Sequence, residues 1–525
     1  MEVKKDWLSG VFKVLLCVSF VYLWVMALVY VKKSYCGIPG AAVFLFAMLL
    51  DGILVWCVWK KKKAKSAKPE NIKKENICLL CASLVLLVVQ FVVIWNAVFR
   101  TAWDPGAVWY GAHFVELGDQ DGINSMAYYF SVYPNNLLLV WIYSIVLKLN
   151  DGIGTPIANG TMLLALFQCI FVTGAGACLY KTVRHFADQK IAWIAYGFYF
   201  ILGGLSAWIM IPYSDSTGII FPIFLFYLFV KIKETESVKK RCMLLFFLFF
   251  FCYVGFEIKP MAAIVVIAIV AVEGFHFACR LLKKQSIWKK SLLAYCLAAV
   301  LGLGAAAGGV SAVVGSMHFP VVTDTVLGWQ HHMMLGLNKD TNGGYSQADF
   351  DYSTSFSSAE EQHAAELKEI GKRLNDFGVG GYLQHFVRKS ARNYFDGCFG
   401  WGGLGETFYT EIFPERGTAL CSLIRSLYYD NKEENLYRYP ALLRQILWYM
   451  VLILVPFSVF TKRPLDKKRQ VAVLSVLGLM LYLQIFEAHA RYLYTFVPIF
   501  VFLATEGIDN LREYLNQKSE RRIKK

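Results

Sequence analysis

Apolar runs of helical length, separated by short polar turns, recur along the whole chain. They lie at 11–31, 41–59, 77–98, 157–180, 191–211, 218–230, 243–256, 261–279, 292–314, 441–460, 471–485 and 492–506. Most approach the roughly 20 residues a helix needs to cross a bilayer. The pattern predicts an all-α polytopic membrane protein of about twelve transmembrane helices. Four blocks follow: two leading helices and a basic loop (1–76), a membrane module (77–315) with a large first loop (99–156), a polar region (316–440), and closing helices with a basic tail (441–525). The opening run is longer than the apolar core of a cleaved signal and reads as a retained helix.

Positive charge sets the orientation. Lys4, Lys5, Lys60, Lys181, Arg184, Lys190, Lys231, Lys233, Arg280, Lys283, Lys462 and Arg463 occupy short turns, where the positive-inside rule is most reliable. All of them fall in the cytoplasm if 135–149, apolar but short, lies along the outer surface as an interfacial helix. The polar region 316–440 then falls outside as a mixed extracytoplasmic domain. That parity brings Asp104, Asp215, Glu257, Lys259, Glu487, His489 and Arg491 to the outer ends of different helices.

Composition agrees. With 57% hydrophobic residues and a mean hydropathy of +0.46, a water-soluble fold is excluded. The net charge of +15 raises the question of nucleic acid, but the cations sit in short clusters between apolar runs. No nucleic-acid-binding motif accompanies them. Most cysteines lie inside apolar segments as small hydrophobes. Cys78 and Cys81 have no second pair for a metal, and only Cys398 and Cys421 are placed for a disulfide outside.

The candidate chemistry begins in 100–141, long, aromatic and acidic. Asp104 precedes Pro105 and Gly106, which are not expected to continue a helix. It is either a turn acid or a carboxylate that orients and deprotonates an acceptor hydroxyl. Asp119 and Asp121 have the spacing that can hold a divalent cation on a phosphate, although a solvated turn explains them too. Tyr133, Pro134, Asn135 and Asn136 close the stretch, with one asparagine free to face a site once the other caps the next helix. Tyr213 and Asp215 lie in a very short turn, where capping is the alternative. Lys259 before Pro260, and Arg491 beside Glu487 and His489, are cations against the positive-inside trend. They need anions, either a phosphate or structural ion pairs. Arg392 stands toward the end of the polar region, beyond a helix expected at 359–377, and His331 and His332 point different ways on any helix.

Together, the early acid of the first loop, the Pro-containing opening of the interfacial helix, the Tyr213–Asp215 turn and the Lys259–Pro260 break resemble the GT-C superfamily. These polytopic glycosyltransferases include protein O-mannosyltransferases and the lipid A aminoarabinose transferase. The resemblance covers 77–260 and 487–492. It implies a polyprenyl-phosphate-linked sugar donor and a lipid or glycan acceptor in the cell membrane, with Asp104 as catalytic acid, Asp215 as a helper, and Lys259 and Arg491 on the carrier phosphate. Two departures stand out: Pro105 replaces the second acid of many members, and Tyr133–Asn136 replaces a Lys-Pro-Pro motif. A looser similarity is to Gram-positive envelope proteins that join teichoic-acid chains to a glycolipid anchor.

The expected function is therefore inverting glycosyl transfer on the outer face of the membrane. A ligase acting on a polyprenyl-diphosphate-linked polymer is the alternative within enzymes, and a transporter or lipid flippase the alternative outside them. Substituted-cysteine labelling tests the parity. A cysteine at 104 should react with an impermeant maleimide on intact cells, and one at 181 only after permeabilisation; labelling of 181 from outside would break up the shared site.

Overall fold

The computed structural model describes residues 7–60, 72–151, 157–283, 290–404, 409–412, 417–429 and 436–523. The loop at 61–71, and Lys4, Lys5, Lys284, Lys289, Lys524 and Lys525, lie outside them. Ten helices among the described residues are long and apolar enough to cross a membrane: Trp7–Val29, Gly40–Lys60, Ile72–Ala97, Gly160–Phe186, Ser214–Glu234, Val238–Ile258, Pro260–Leu282, Ser291–Gly315, Arg438–Val459 and Lys467–Ile485. The protein is an all-α polytopic membrane protein, with one short antiparallel pairing of Phe99–Thr101 with Tyr409–Ile412.

Two of the twelve expected crossings take another form. Segment 191–211 begins as the helix Gln189–Tyr199, passes through a π-helical turn at Phe200–Gly204 and ends in the single turn Ala207–Met210. Its freed carbonyls are claimed from neighbouring helices: Gln90 Nε2 donates to Gly204 O (2.8 Å), Tyr494 OH to Gly203 O (2.9 Å) and Tyr428 OH to Leu205 O (3.2 Å). Irregular backbone at membrane depth persists only with such partners. Segment 492–506 lies mostly in the longer helix Val497–Ile523, which is buried in its first half and charged in its second.

The basic turns meet at one end of the bundle. Arg184 pairs with Glu75 (2.9 Å), His185 with Glu234, Lys468 Nζ with His185 Nε2 (2.8 Å), and Lys467 with Glu273 (2.9 Å). Lys233 also pairs with Glu273, and Arg512 with Asp188. Ile72–Ala97 leaves this end and Ile157–Phe186 returns to it, so the chain between them starts and finishes at the opposite end. The apolar helix Leu137–Asp151 therefore does not reverse the chain's direction. Its 15 residues reach about 22 Å, short of the roughly 30 Å hydrocarbon core.

The stretch 99–156 is more helical than its polarity indicated, with helices at Trp103–Leu117, Gln120–Ser125 and Ala127–Val132 before Pro134 opens the turn into Leu137–Asp151. Pro105 falls in the first turn of Trp103–Leu117, where the missing N–H has no intrahelical partner to lose. The helix expected at 359–377 starts there, with Ser358 as N-cap accepting from Glu361 N. It continues to Tyr394 through a break at Gly378 (φ 54°), a conformation that favours glycine. Its second half is held in the bundle by Gln484 Nε2 donating to Ser390 Oγ (2.9 Å) and by packing of Phe386 on Tyr22. Cys398 and Cys421 are buried free thiols, and Cys421 Sγ contacts Asn96 O.

Ser214–Glu234 and Arg438–Val459 are central, 78% and 72% buried, whereas Val238–Ile258 and Ser291–Gly315 are peripheral at 22%. The first helix docks on the other end of the sequence: Lys13 Nζ donates to Thr461 O (2.7 Å), and Leu465 N to Ser9 Oγ (2.7 Å). The last helix crosses Leu454 so closely that a Cβ on Gly507 would lie 2.2 Å from its carbonyl oxygen. Gly507→Ala should lower the thermal midpoint in detergent by the equivalent of about 1–3 kcal/mol. Gly274→Ala, where a Cβ meets nothing within 4 Å, should not; equal midpoints for the two variants would refute this packing.

Candidate active site

At the end away from the basic turns, four helix breaks bring polar side chains together. The first carries Asp104, in the opening turn of Trp103–Leu117, where the helix dipole favours an acid. Gly106 permits this entry, since a Cβ there would lie 2.6 Å from Thr101 O. Trp103 itself holds φ 55°, which costs a non-glycine residue roughly 1–2 kcal/mol. Asp104 Oδ1 accepts from Tyr129 OH (2.9 Å) and Oδ2 lies 3.4 Å from Tyr213 OH. Asn136 Nδ2 in turn donates to Tyr129 OH (2.9 Å). Burial first, then the charge of Asp104, pushes both tyrosines above their ordinary range, so they stay protonated donors. Two hydroxyls leave free lone pairs on a carboxylate that can accept about four hydrogen bonds. Asp104 is half-buried and, among the described residues, in no ion pair.

The second break is the turn holding Tyr213 and Asp215. Buried Gln168 braces it, donating to Ile209 O and Ile211 O (both 2.8 Å) and accepting from Tyr213 N (3.2 Å). The third break, between Val238–Ile258 and Pro260–Leu282, presents Lys259 in extended conformation. Lys259 Nζ donates to Asp215 Oδ1 (2.5 Å) and stands 4.8 Å over the Tyr492 ring. Burial lowers the lysine's pKa, opposed by Asp215, and Arg491 lowers it further. A Cβ on Gly218 would lie 3.0 Å from Lys259 Cβ, so glycine makes room for the lysine.

The fourth break, after Lys467–Ile485, carries Glu487, His489 and Arg491. Glu487 accepts from Tyr492 OH (3.0 Å) and faces His489 Nε2 (3.1 Å). Burial raises its pKa, but His489, His332 and Arg491 outweigh burial and hold the carboxyl well below the usual range. Burial lowers the His489 pKa. Burial also works against the charge of Arg491, but Asp215, Tyr492, Tyr213 and Asp104 more than offset it and keep the guanidinium charged. The strand of chain at 486–488 is strapped from behind by Ala359–Tyr394. Lys389 Nζ donates to Gly336 O (2.9 Å), Gln484 O and Phe486 O (both 2.8 Å). Three acceptors match the three N–H bonds of an ammonium.

Asp104, Tyr213, Asp215, Lys259, Glu487, His489, Arg491 and Asn136 thus converge, with Tyr133 packed on Tyr129 at 5.3 Å. Others named from the sequence do other work. Arg392 donates to Ala488 O and Thr341 O (both 3.0 Å) and so supports the strap. Asn135 is exposed, and Glu257 interacts with Tyr253, away from the cluster. Asp119 caps Gln120–Ser125 by accepting from Gly122 N (3.0 Å), and Asp121 is exposed. Among the described residues no group of three His, Cys, Asp or Glu side chains is placed to hold a metal ion. His331 is buried on Ser353 Oγ (2.7 Å), and burial lowers its pKa to about 4. Tyr129, Gln168, Lys389 and Tyr492 escaped sequence reasoning.

A family model described as "conserved hypothetical integral membrane protein" matches residues 1–510. The chain belongs to this family. No curated protein matches the chain. Among solved structures it is similar to the oligosaccharyltransferase AglB of Archaeoglobus fulgidus, a complex with an inhibitory peptide and a dolichol-phosphate, at 13% identity and a TM-score of 0.39. The match covers 83% of this chain and 52% of that one, so the chain spans about half the length of the archaeal enzyme.

Glu487 offers a pH test. A depressed carboxyl contributes stability that is fully present above the unfolded value of about 4.3 and lost as pH falls through the folded one. Glu487→Gln should destabilise the detergent-solubilised protein near neutrality by about 3 kcal/mol or more. It should also flatten the fall of the thermal midpoint below about pH 4.3; a variant with the parent's acid slope would show that Glu487 is not held this way.

Proposed function

We propose that this protein is an inverting membrane glycosyltransferase of GT-C type. It would transfer a sugar or glycan from a polyprenyl-phosphate-linked donor to an acceptor hydroxyl on the outer face of the cytoplasmic membrane, in envelope glycan synthesis. The observation that carries the reading is a division of charge: a half-buried carboxylate oriented by two tyrosine hydroxyls stands beside two cations at helix breaks, buried Lys259 and half-buried Arg491. The family itself assigns no reaction, and the reading rests on this geometry.

In the proposed step the acceptor O–H lies against Asp104, and its oxygen attacks the anomeric carbon from the face opposite the phosphate. The new C–O bond forms as the bond from the anomeric carbon to the phosphate oxygen breaks. Its electron pair leaves with the lipid phosphate, and the acceptor proton passes to Asp104. Lys259 and Arg491 stabilise the charge that develops on the departing phosphate. Tyr129 and Tyr213 hold the carboxylate in place. Asp215 works against the burial penalty on both cations, and Glu487 adds to this at Lys259, since unpaired cations there would be strongly disfavoured. No nucleotide is needed, because the donor is already activated by its phosphate.

Asp104→Asn preserves shape and removes the charge. At matched membrane abundance it should lower product formation by about 100-fold or more and let the undischarged polyprenyl-linked donor accumulate. The identity of that donor then names the substrate. Product at the parent rate would make Asp104 a helix-end acid and move the transporter reading ahead.

A further inference from the structure

A second concavity lies behind the strap, outside the cluster just described. It measures about 310 Å³ and is bounded by the turn after the short helix Trp329–Gly336 and by both sides of the Gly378 break in Ala359–Tyr394. That volume is at the small end of the roughly 300–1,000 Å³ typical of small-molecule sites. The positive φ of Gly378 splays the helix here, and a Cβ on Gly378 or Gly380 would meet nothing within 4 Å. The break therefore opens space rather than relieving a clash.

The lining is chemically mixed. Leu337 and Phe377 form an apolar floor, and the Phe377 ring packs 4.8 Å from that of His385. Arg373 also lines the cavity, already paired with Asp349 (2.7 Å) and Glu369 (3.0 Å). Around the floor stand two carboxylates, Asp340 and Asp376, two further cations, Lys339 and Arg388, and the amide of Gln384. None of these five side chains has a hydrogen-bond or ion-pair partner among the described residues. A phosphate group would be repelled by the two acids, and a cationic ligand by Lys339 and Arg388. Sugar hydroxyls both donate and accept, so they suit carboxylates, cations and an amide around one aromatic face.

The cavity is mechanically continuous with the candidate active site. Its wall ends at Gly336, whose carbonyl is held by His385 Nε2 (2.8 Å) and by Lys389 Nζ, the same ammonium that holds Phe486 O beside Glu487. Ala488 N donates to Gly343 O (2.7 Å), locking the 337–344 turn to the Glu487 strand.

We propose that this cavity is a glycan subsite, binding neutral sugar units of the acceptor beyond the hydroxyl that reacts. The assignment rests on the transferase reading for its role, though not for its binding chemistry.

The test is direct binding to the full chain in detergent, with no donor present. The probes are fluorescently labelled maltotriose, cellotriose and triacetylchitotriose, with inorganic phosphate as competitor. At least one trisaccharide should bind. Asp376→Ala/Arg388→Ala, which removes two exposed and unpartnered groups, should weaken it by about tenfold or more at an unchanged thermal midpoint. Asp104→Asn should leave it within about twofold. The subsite is overturned if no trisaccharide binds, if the double variant binds like the parent, or if millimolar phosphate displaces the sugar. Transfer and binding are read separately: full product formation by Asp104→Asn would sink the catalytic reading alone, and unchanged binding by the double variant would sink the subsite alone.

Discussion

Every peptide group freed inside an apolar bundle must find a partner there, and this constraint organises the molecule. At the polar end the chain interrupts its helices four times, and three of the interruptions are braced by side chains from elsewhere in the chain. Gln168 holds the turn bearing Tyr213 and Asp215, Asn136 holds the tyrosine that holds Asp104, and Lys389 and Arg392 hold the strand bearing Glu487. The same breaks place charged side chains in protein rather than in lipid. The polar network and the site are one construction.

Much of that site was legible because charge in membrane proteins is scarce and positional. The basic clusters, once 135–149 is read as interfacial, assign an end to every helix, and the shared ion pairs of Glu75, Arg184, His185, Glu234 and Lys468 gather at one end of the bundle. Acids and cations left at the opposite end then had few places to go. Asp215 and Lys259 meet, and Arg491 joins them, although 44 residues separate the first two.

What sequence could not show is how side chains divide their labour. Arg392 and Lys389 lie three residues apart on one helix, yet both are consumed by backbone carbonyls, a demand that no local motif records. Tyr129 and Tyr128 are adjacent, but only the first turns toward Asp104, because the short helix Ala127–Val132 sets which of the two faces inward. The D-x-D spacing left a solvated turn and a cation site both open, and Asp119 is spent on capping a helix. Polar residues near a break serve the backbone first, and chemistry takes what remains.

The docking of the first helix onto the turn at 461–465 has a consequence for biogenesis. Lys13 and its acceptor Thr461 are 448 residues apart, so this contact cannot form until nearly the whole chain has left the ribosome. Lys259 and Asp215 are inserted far earlier, before Arg491 and Tyr492 exist to surround them. The nascent protein must therefore carry a polar, half-built cleft while residues 260–490 are still being made.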